Sequence, residues 1–480
     1  MLEMKLKKYL ECKFHMLLIA FFIMLLLLYL YMFFTSFENI SMDRHVWLYI
    51  SILASIAYLY VYRRKTLFCY ETLFFAIFIL GTFFNEIILE NIFDDSMVSS
   101  VLFTTFSRSV ENKGVLIQML ALFGFMAFAS FCNRNHIKAV SNRRIDLESS
   151  FFENVKLGHS VNAMALLVFL FIIYLYISGT FASWFHYSDS SSNKAYSNLE
   201  IVYGTILFIV FTTLEFSRLY KMGCHSITAF LLKSNKFYLT EILFIAGVLL
   251  ISGNRNESLL IIMPAIAAFS IMIKPISNKL FLTGVLIGGV LMVMIGLTRT
   301  SDNVEDQGGV NAFTIARDFG VIDTNTRYLI QYTDKNTPIY FKNAFVGLLS
   351  TVPFVGGIFV DGLSIEQDIR STVITTHGMQ LADRMDSGLG TSLIGDLYYT
   401  ASGIWVILFM SLYGYIVAYM HNLFVIERRF SPWWFILFAF NLSNVAYYIR
   451  AEWTMPLRYI GFSFILLLLL TLFYKKRKIA

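Results

Sequence analysis

Residues 14–34 read FHMLLIAFFIMLLLLYLYMFF, an apolar run long enough to cross a hydrocarbon core of about 30 Å as a helix. Lys5, Lys7, Lys8 and Lys13 precede it, and no basic residue follows until Arg44. Short loops rich in Lys and Arg resist translocation, so the amino-terminal end is expected in the cytoplasm. No small-residue cleavage site follows the run, which reads as an uncleaved first span and not as a signal peptide.

Working outward, eleven more windows of this kind lie near 46–62, 71–91, 115–132, 161–178, 201–217, 237–252, 257–273, 280–298, 403–421, 432–449 and 457–474. The chain of 480 residues is 57% hydrophobic and 15% charged, with a mean hydropathy of +0.65. That composition excludes a soluble globular protein. The sequence therefore predicts an all-α, polytopic integral membrane protein of about twelve transmembrane helices.

Basic residues alternate across the loops. Arg63, Arg64, Lys65, Arg134, Lys138, Arg143, Arg144, Lys156, Arg218, Lys221, Lys233, Lys236, Lys274, Lys279, Arg428, Arg429 and the run Lys475–Lys478 share the side of the amino terminus. Both termini are thus expected to be cytoplasmic. The net charge of +6 gathers on that face and reports topology; it gives no case for nucleic acid. Cys12, Cys69, Cys132 and Cys224 also fall at cytoplasmic ends, with no CxxC pair and no disulfide framework.

One stretch breaks the alternation. Residues 299–402, between the ninth and tenth spans, put Arg299, Arg317, Arg327, Arg370 and Arg384 on the outer side. The chain divides accordingly into 1–298 (nine spans with short loops), 299–402 (a large periplasmic or extracellular loop) and 403–480 (three spans and a basic carboxy terminus). Arginines retained on the translocated face point to an anionic ligand.

No GxxxxGK[ST], GxGxxG or HExxH occurs, and the eight histidines are scattered, so no cofactor and no metal is expected. Charge-bearing motifs instead cluster at outer ends of spans. In SGNRNESLLIIMP (252–264), Arg255 stands beside a helix amino terminus, an arrangement that binds anions, although pairing with Glu257 explains it too. After the ninth span come Arg299, then Arg317 and Asp318 in ARDF, then Arg327. A solvated amphipathic segment accounts for these equally well. In GLGTSLIGDLYYTASGIW (388–405), glycines permit close backbone approach, and Asp396 sits among apolar residues as a proton acceptor or as a capping or arginine-paired group. In YYIRAEWTMPLRYIGF (447–462), Arg450 and Glu452 lie at the outer edge and Arg458 one turn inside the last span, where it needs a partner unless it snorkels.

Across roughly 240–470 the chain resembles the Wzy-type oligosaccharide repeat-unit polymerases, which build O-antigen, enterobacterial common antigen and capsular polysaccharide. The likeness rests on Gly253–Arg255, on ARDF at 316–319, on GTSLIGDLYY at 390–399 and on the arginine turn 450–458. It implies a GT-C-like membrane glycosyltransferase of the bacterial cytoplasmic (inner) membrane. Such an enzyme joins undecaprenyl-pyrophosphate-linked oligosaccharide units, as donor and acceptor, at the outer leaflet without nucleotide. Membrane lipid, a chain-length regulator and a flippase are the partners it implies.

On this reading Arg255, Arg299, Arg317, Arg450 and Arg458 hold the departing pyrophosphate, and a carboxylate takes the acceptor proton. Asp396 ranks first, then Glu452 and Asp318, with His377 behind. An O-antigen ligase shares these needs. A lipid-linked oligosaccharide flippase is the other alternative, although internal repeats and a charge cluster within the spans, common in transporters, are not evident.

Overall fold

The computed structural model describes residues 2–38, 42–62, 67–84, 86–87, 106–136, 146–147, 155–185, 191–252, 255–298, 312–349, 369–380, 390–426 and 429–474. Its principal helices are α1 (Leu2–Phe34), α2 (Arg44–Val61), α3 (Tyr70–Thr82), α4 (Arg108–His136), α5 (Leu157–Ile177), α6 (Ser191–Lys221), α7 (Ile227–Lys233) and α8 (Lys236–Ile251). They continue with α9 (Arg255–Ala268), α10 (Asn278–Thr298), α11 (Ala312–Asn336), α12 (Lys342–Leu349), α13 (Ser371–Gln380), α14 (Leu393–His421), α15 (Pro432–Tyr448) and α16 (Met455–Phe473). Among the described residues, the one strand pairing is a two-residue parallel ladder, Asp146–Leu147 with Arg429–Phe430.

Seven described helices are long and apolar enough to cross a membrane: those in α1, α2, α4, α5, α6, α14 and α16. The pair α7–α8, bent by 100°, makes up to eight. The expected count of about twelve is thus met in part. The third, eighth and ninth windows fall on shorter apolar helices, and the eleventh on the 17-residue α15. A hydropathy window scores apolar content and is blind to where a helix stops, as α3 does at Thr82.

The most enclosed span is α4, 89% of whose apolar window is buried, against 28% for α1. It packs along α14. Gly124 faces Ser411, and a Cβ on Gly414 would strike the backbone carbonyl of Phe125. Lipid tails are as apolar as leucine, so such small-residue contacts, which let backbones touch, hold membrane helices together.

Helix α14 is broken. Ala401 and the positive-φ residue Ser402 (φ 65°) interrupt it, so Leu393–Thr400 and Gly403–His421 are separate pieces. The carbonyls of Tyr399 and Thr400, which a continuous helix would bond to residues four further on, accept instead from the N–H groups of Ile339 (3.3 Å) and Phe341 (3.4 Å). Tyr340 and Phe341 also have positive φ, so strained backbone flanks the break on both sides.

The stretch expected as one outer loop is partly folded into the body. Helix α11 packs against α3, α4 and α14. It runs parallel to Leu393–Thr400: Thr326 Oγ1 donates to Ser392 Oγ at 2.7 Å, and the Tyr398 hydroxyl donates to Asp334 at 2.7 Å. The tenth window, placed at 403, begins at the break, ten residues after the helix itself starts.

Helix ends that the charge pattern assigns to one side do meet. Asn112, early in α4, donates to the Phe37 carbonyl beyond α1, and Arg44 at the head of α2 donates to Thr82 at the foot of α3. At the opposite end, the Lys156 N–H before α5 donates to the Tyr474 carbonyl after α16. Two glutamates within the apolar windows are buried: Glu215 of α6 pairs with Arg218, and Glu241 of α8 has neither oxygen partnered among the described residues.

Candidate functional site

Ser392 begins α14 as its N-cap, accepting the Gly395 N–H at 3.0 Å after Gly390 (φ 74°) turns the chain. This puts Asp396 in the first turn, where the helix dipole favours a carboxylate. Asp396 is 1% exposed. Its Oδ1 accepts from Asn343 Nδ2 at 3.0 Å, and its Oδ2 accepts from the Trp453 backbone N–H at 2.8 Å. Thr400 closes the circuit. Its hydroxyl accepts from Asn343 Nδ2 (2.8 Å) and Trp453 Nε1 (3.1 Å) and donates to the Asp396 carbonyl (2.7 Å). The rings of Phe341, Trp405 and Phe409 pack on Trp453 and shield this network.

One residue earlier in the turn, Glu452 accepts from Arg370 Nε (2.9 Å) and Nη2 (3.1 Å), Thr372 Oγ1 (2.9 Å) and Arg458 Nη2 (2.8 Å). Burial alone would raise its pKa, but the guanidiniums of Arg370 and Arg458 outweigh burial and hold the carboxyl below the usual range. Arg458 is thus paired, as a buried arginine requires. Arg450 is half-buried and makes no ion pair among the described residues. Among the described residues, the 450–458 stretch with Arg370 carries three guanidiniums, of Arg370, Arg450 and Arg458, against the carboxylates of Glu452 and Asp396.

A second cluster lies across α11. Asp323 accepts from Arg44 Nη2 (3.0 Å), from Gln118 Nε2 (3.1 Å) and from Arg327, while Arg44 also pairs with Glu86 and Arg327 with Glu111 (3.5 Å). Burial opposes the charge on Asp323, and Arg327 with Arg44 overcome it, lowering its pKa. Here carboxylates outnumber guanidiniums. The arrangement ties α2, α3, α4 and α11 together.

Of the residues singled out from sequence, Asp396, Glu452 and Arg458 converge at one end of the bundle, and Arg450 lies in the same turn as Glu452. Arg255 opens α9, and Arg317 and Asp318 lie in the first half of α11, but their side chains fall outside the described residues, as does that of His377 in α13. Arg299 lies outside them altogether. Sequence reasoning missed Asn343, Thr372, Thr400 and Trp453, and counted Arg370 only as an outer arginine. Asn343 meets Asp396 across 53 residues of chain, a separation no local motif spans. No protein-family model, curated protein or solved structure matches this chain.

Proposed function

We propose that the chain is a polysaccharide polymerase of the bacterial cytoplasmic membrane. It joins undecaprenyl-pyrophosphate-linked repeat units on the outer leaflet, transferring the growing glycan to the non-reducing end of a fresh unit. The observation that carries this reading is the convergence of Asp396, Glu452, Arg370 and Arg458 beside the break in α14, with Arg450 in the same turn as Glu452. Fixed guanidiniums favour the charge that builds on a departing diphosphate, and no nucleotide is needed.

The contacts divide the roles. Glu452, saturated by four donor contacts, is a poor base and serves to align Arg370 and Arg458. Asp396 accepts from the Asn343 amide, the Trp453 backbone N–H and the Ser371 hydroxyl, and it has no guanidinium partner among the described residues, so it is the carboxylate left to take the proton of the acceptor hydroxyl. Arg450, without a carboxylate partner among the described residues, grips the diphosphate. Arg255, Arg299 and Arg317 remain proposed contributors, with Asp318 a lower-ranked base.

Deleting the gene and resolving surface glycan on a gel tests the reading. A polymerase mutant leaves a single repeat unit attached, whereas loss of all glycan identifies a ligase. A lipid-linked oligosaccharide transporter is the second reading, favoured by the unpartnered carboxyl of Glu241 inside α8 and by the broken α14. Purified protein that forms glycosidic bonds between lipid-linked units excludes it.

A further inference from the structure

Helix α11 is not among the helices apolar enough to cross a membrane. Its buried side carries Asp323, Thr326 and Arg327, which lock it to the bundle and to Ser392. A different stripe is partly open to solvent. Tyr328, Gln331, Tyr332 and Lys335 stand at i, i+3, i+4 and i+7, so they form one ridge on the helix. The first three are half-buried and Lys335 is exposed.

None of their side-chain polar ends has a hydrogen-bond or ion-pair partner among the described residues. The rings of Tyr328 and Tyr332 lie 6.4 Å apart at 31°, and Tyr332 in turn packs on Tyr399 at 6.0 Å. Tyr399 is three residues beyond Asp396 on the piece of α14 that runs parallel to α11. The ridge therefore lies one helix away from the proposed reacting centre.

Two neighbouring half-buried rings, seated on the Leu329, Ile374 and Tyr399 cluster, with an amide and an ammonium beside them that have no partner among the described residues, suit a polyhydroxylated, uncharged ligand: apolar sugar faces lie on the open parts of the rings, and hydroxyls bond the polar tips. A helix resting on the bilayer surface would carry leucine, phenylalanine or tryptophan along such a stripe, and this one has none. We propose that Tyr328, Gln331, Tyr332 and Lys335 form a carbohydrate-binding ridge that holds the glycan portion of the substrate alongside Asp396. The inference rests on the polymerase reading for the identity of that glycan.

The test uses full-length protein in lipid nanodiscs and, as probe, the delipidated surface polysaccharide of the parent strain. Saturation-transfer NMR should show glycan resonances saturated by the wild-type protein and by Y328F/Y332F, which keep the rings, and should lose them with Y328A/Y332A. In a coupling assay with lipid-linked repeat units, Y328A/Y332A should raise KM about tenfold at little cost in kcat, as expected for two lost ring contacts. A melting temperature matching wild type certifies that the variant is folded; if the alanine pair melts early, Q331A/K335A supplies the same comparison. Equal saturation transfer from wild type and a folded variant overturns the ridge. Wild-type protein that binds the glycan yet forms no ladder overturns the polymerase reading and leaves the ridge standing.

Discussion

The Trp453 backbone N–H donates to Oδ2 of Asp396 at 2.8 Å, joining the first turn of α14 to the turn before α16 across 57 residues of chain. The neighbouring Glu452 faces the other way, onto Arg370 and Arg458. One short turn thus holds the Asp396 carboxylate on one side and a guanidinium pair on the other. On the polymerase reading, the proposed base and the proposed charge stabilisers are thereby held in a fixed relation by backbone, as preorganisation of such a site demands.

Asp396→Asn should abolish most coupling while leaving the fold. The amide oxygen still accepts the Trp453 N–H, but the base is gone, a loss of about 10²-fold or more in rate. Ladder formation from lipid-linked repeat units reads the rate and a melting curve reads the fold. Asp396→Ala should also melt early, because the Asn343 amide, the Ser371 hydroxyl and the Trp453 N–H lose their acceptor at about 1–3 kcal/mol each. An Asn variant with wild-type rate removes Asp396 from the chemistry.

Glu452→Ala should be among the most damaging single changes at this end of the molecule. It leaves Arg370 and Arg458 facing each other without their carboxylate, and breaking a buried ion pair costs about 3–5 kcal/mol. The measurement is yield and melting temperature in mild detergent. Arg370, about a third exposed, recovers part of that cost through water.

Acid should destabilise the protein through the same residue. The folded-state pKa of Glu452 is depressed, so its stabilising contribution is complete above its ordinary value near 4.5 and is lost as pH falls through the folded value. Asp323, depressed below 3.8 by Arg327 and Arg44, acts in the same direction. Melting temperature should therefore be flat near neutrality and fall below about pH 4.5, and Glu452→Gln should flatten the acid limb. An acid limb unchanged in that variant assigns the loss to other carboxylates.

The parts legible in sequence are those fixed by locally repeating physics. Span-length apolar runs, the alternation of Lys and Arg, and the cluster 390–458 with Asp396, Glu452, Arg450 and Arg458 were all readable from it. What escaped depends on pairing between distant segments. The inward folding of α11 hinges on Asp323 meeting Arg44 279 residues away. The break in α14 hinges on carbonyls capped by residues 339–341, and nothing within ASGIW itself announces that. Glu241 escaped because a single glutamate hardly lowers a hydropathy average.

Arg450→Ala separates ligand binding from architecture, since Arg450, in the same turn as Glu452, makes no ion pair among the described residues. Its removal orphans no buried carboxylate, so the melting temperature should stay near wild type, in contrast to Arg458→Ala, which leaves Glu452 short of a partner. Coupling should nevertheless fall about 10²-fold or more, the cost of losing one fixed donor to a developing oxyanion. Lysine should rescue it poorly, because a point charge lacks the planar fork that grips two phosphate oxygens together. Wild-type glycan length at normal protein level in Arg450→Ala would move the diphosphate away from this turn, and the guanidinium pair beside Glu452 would then serve only to hold α13, α16 and the 450–454 turn together.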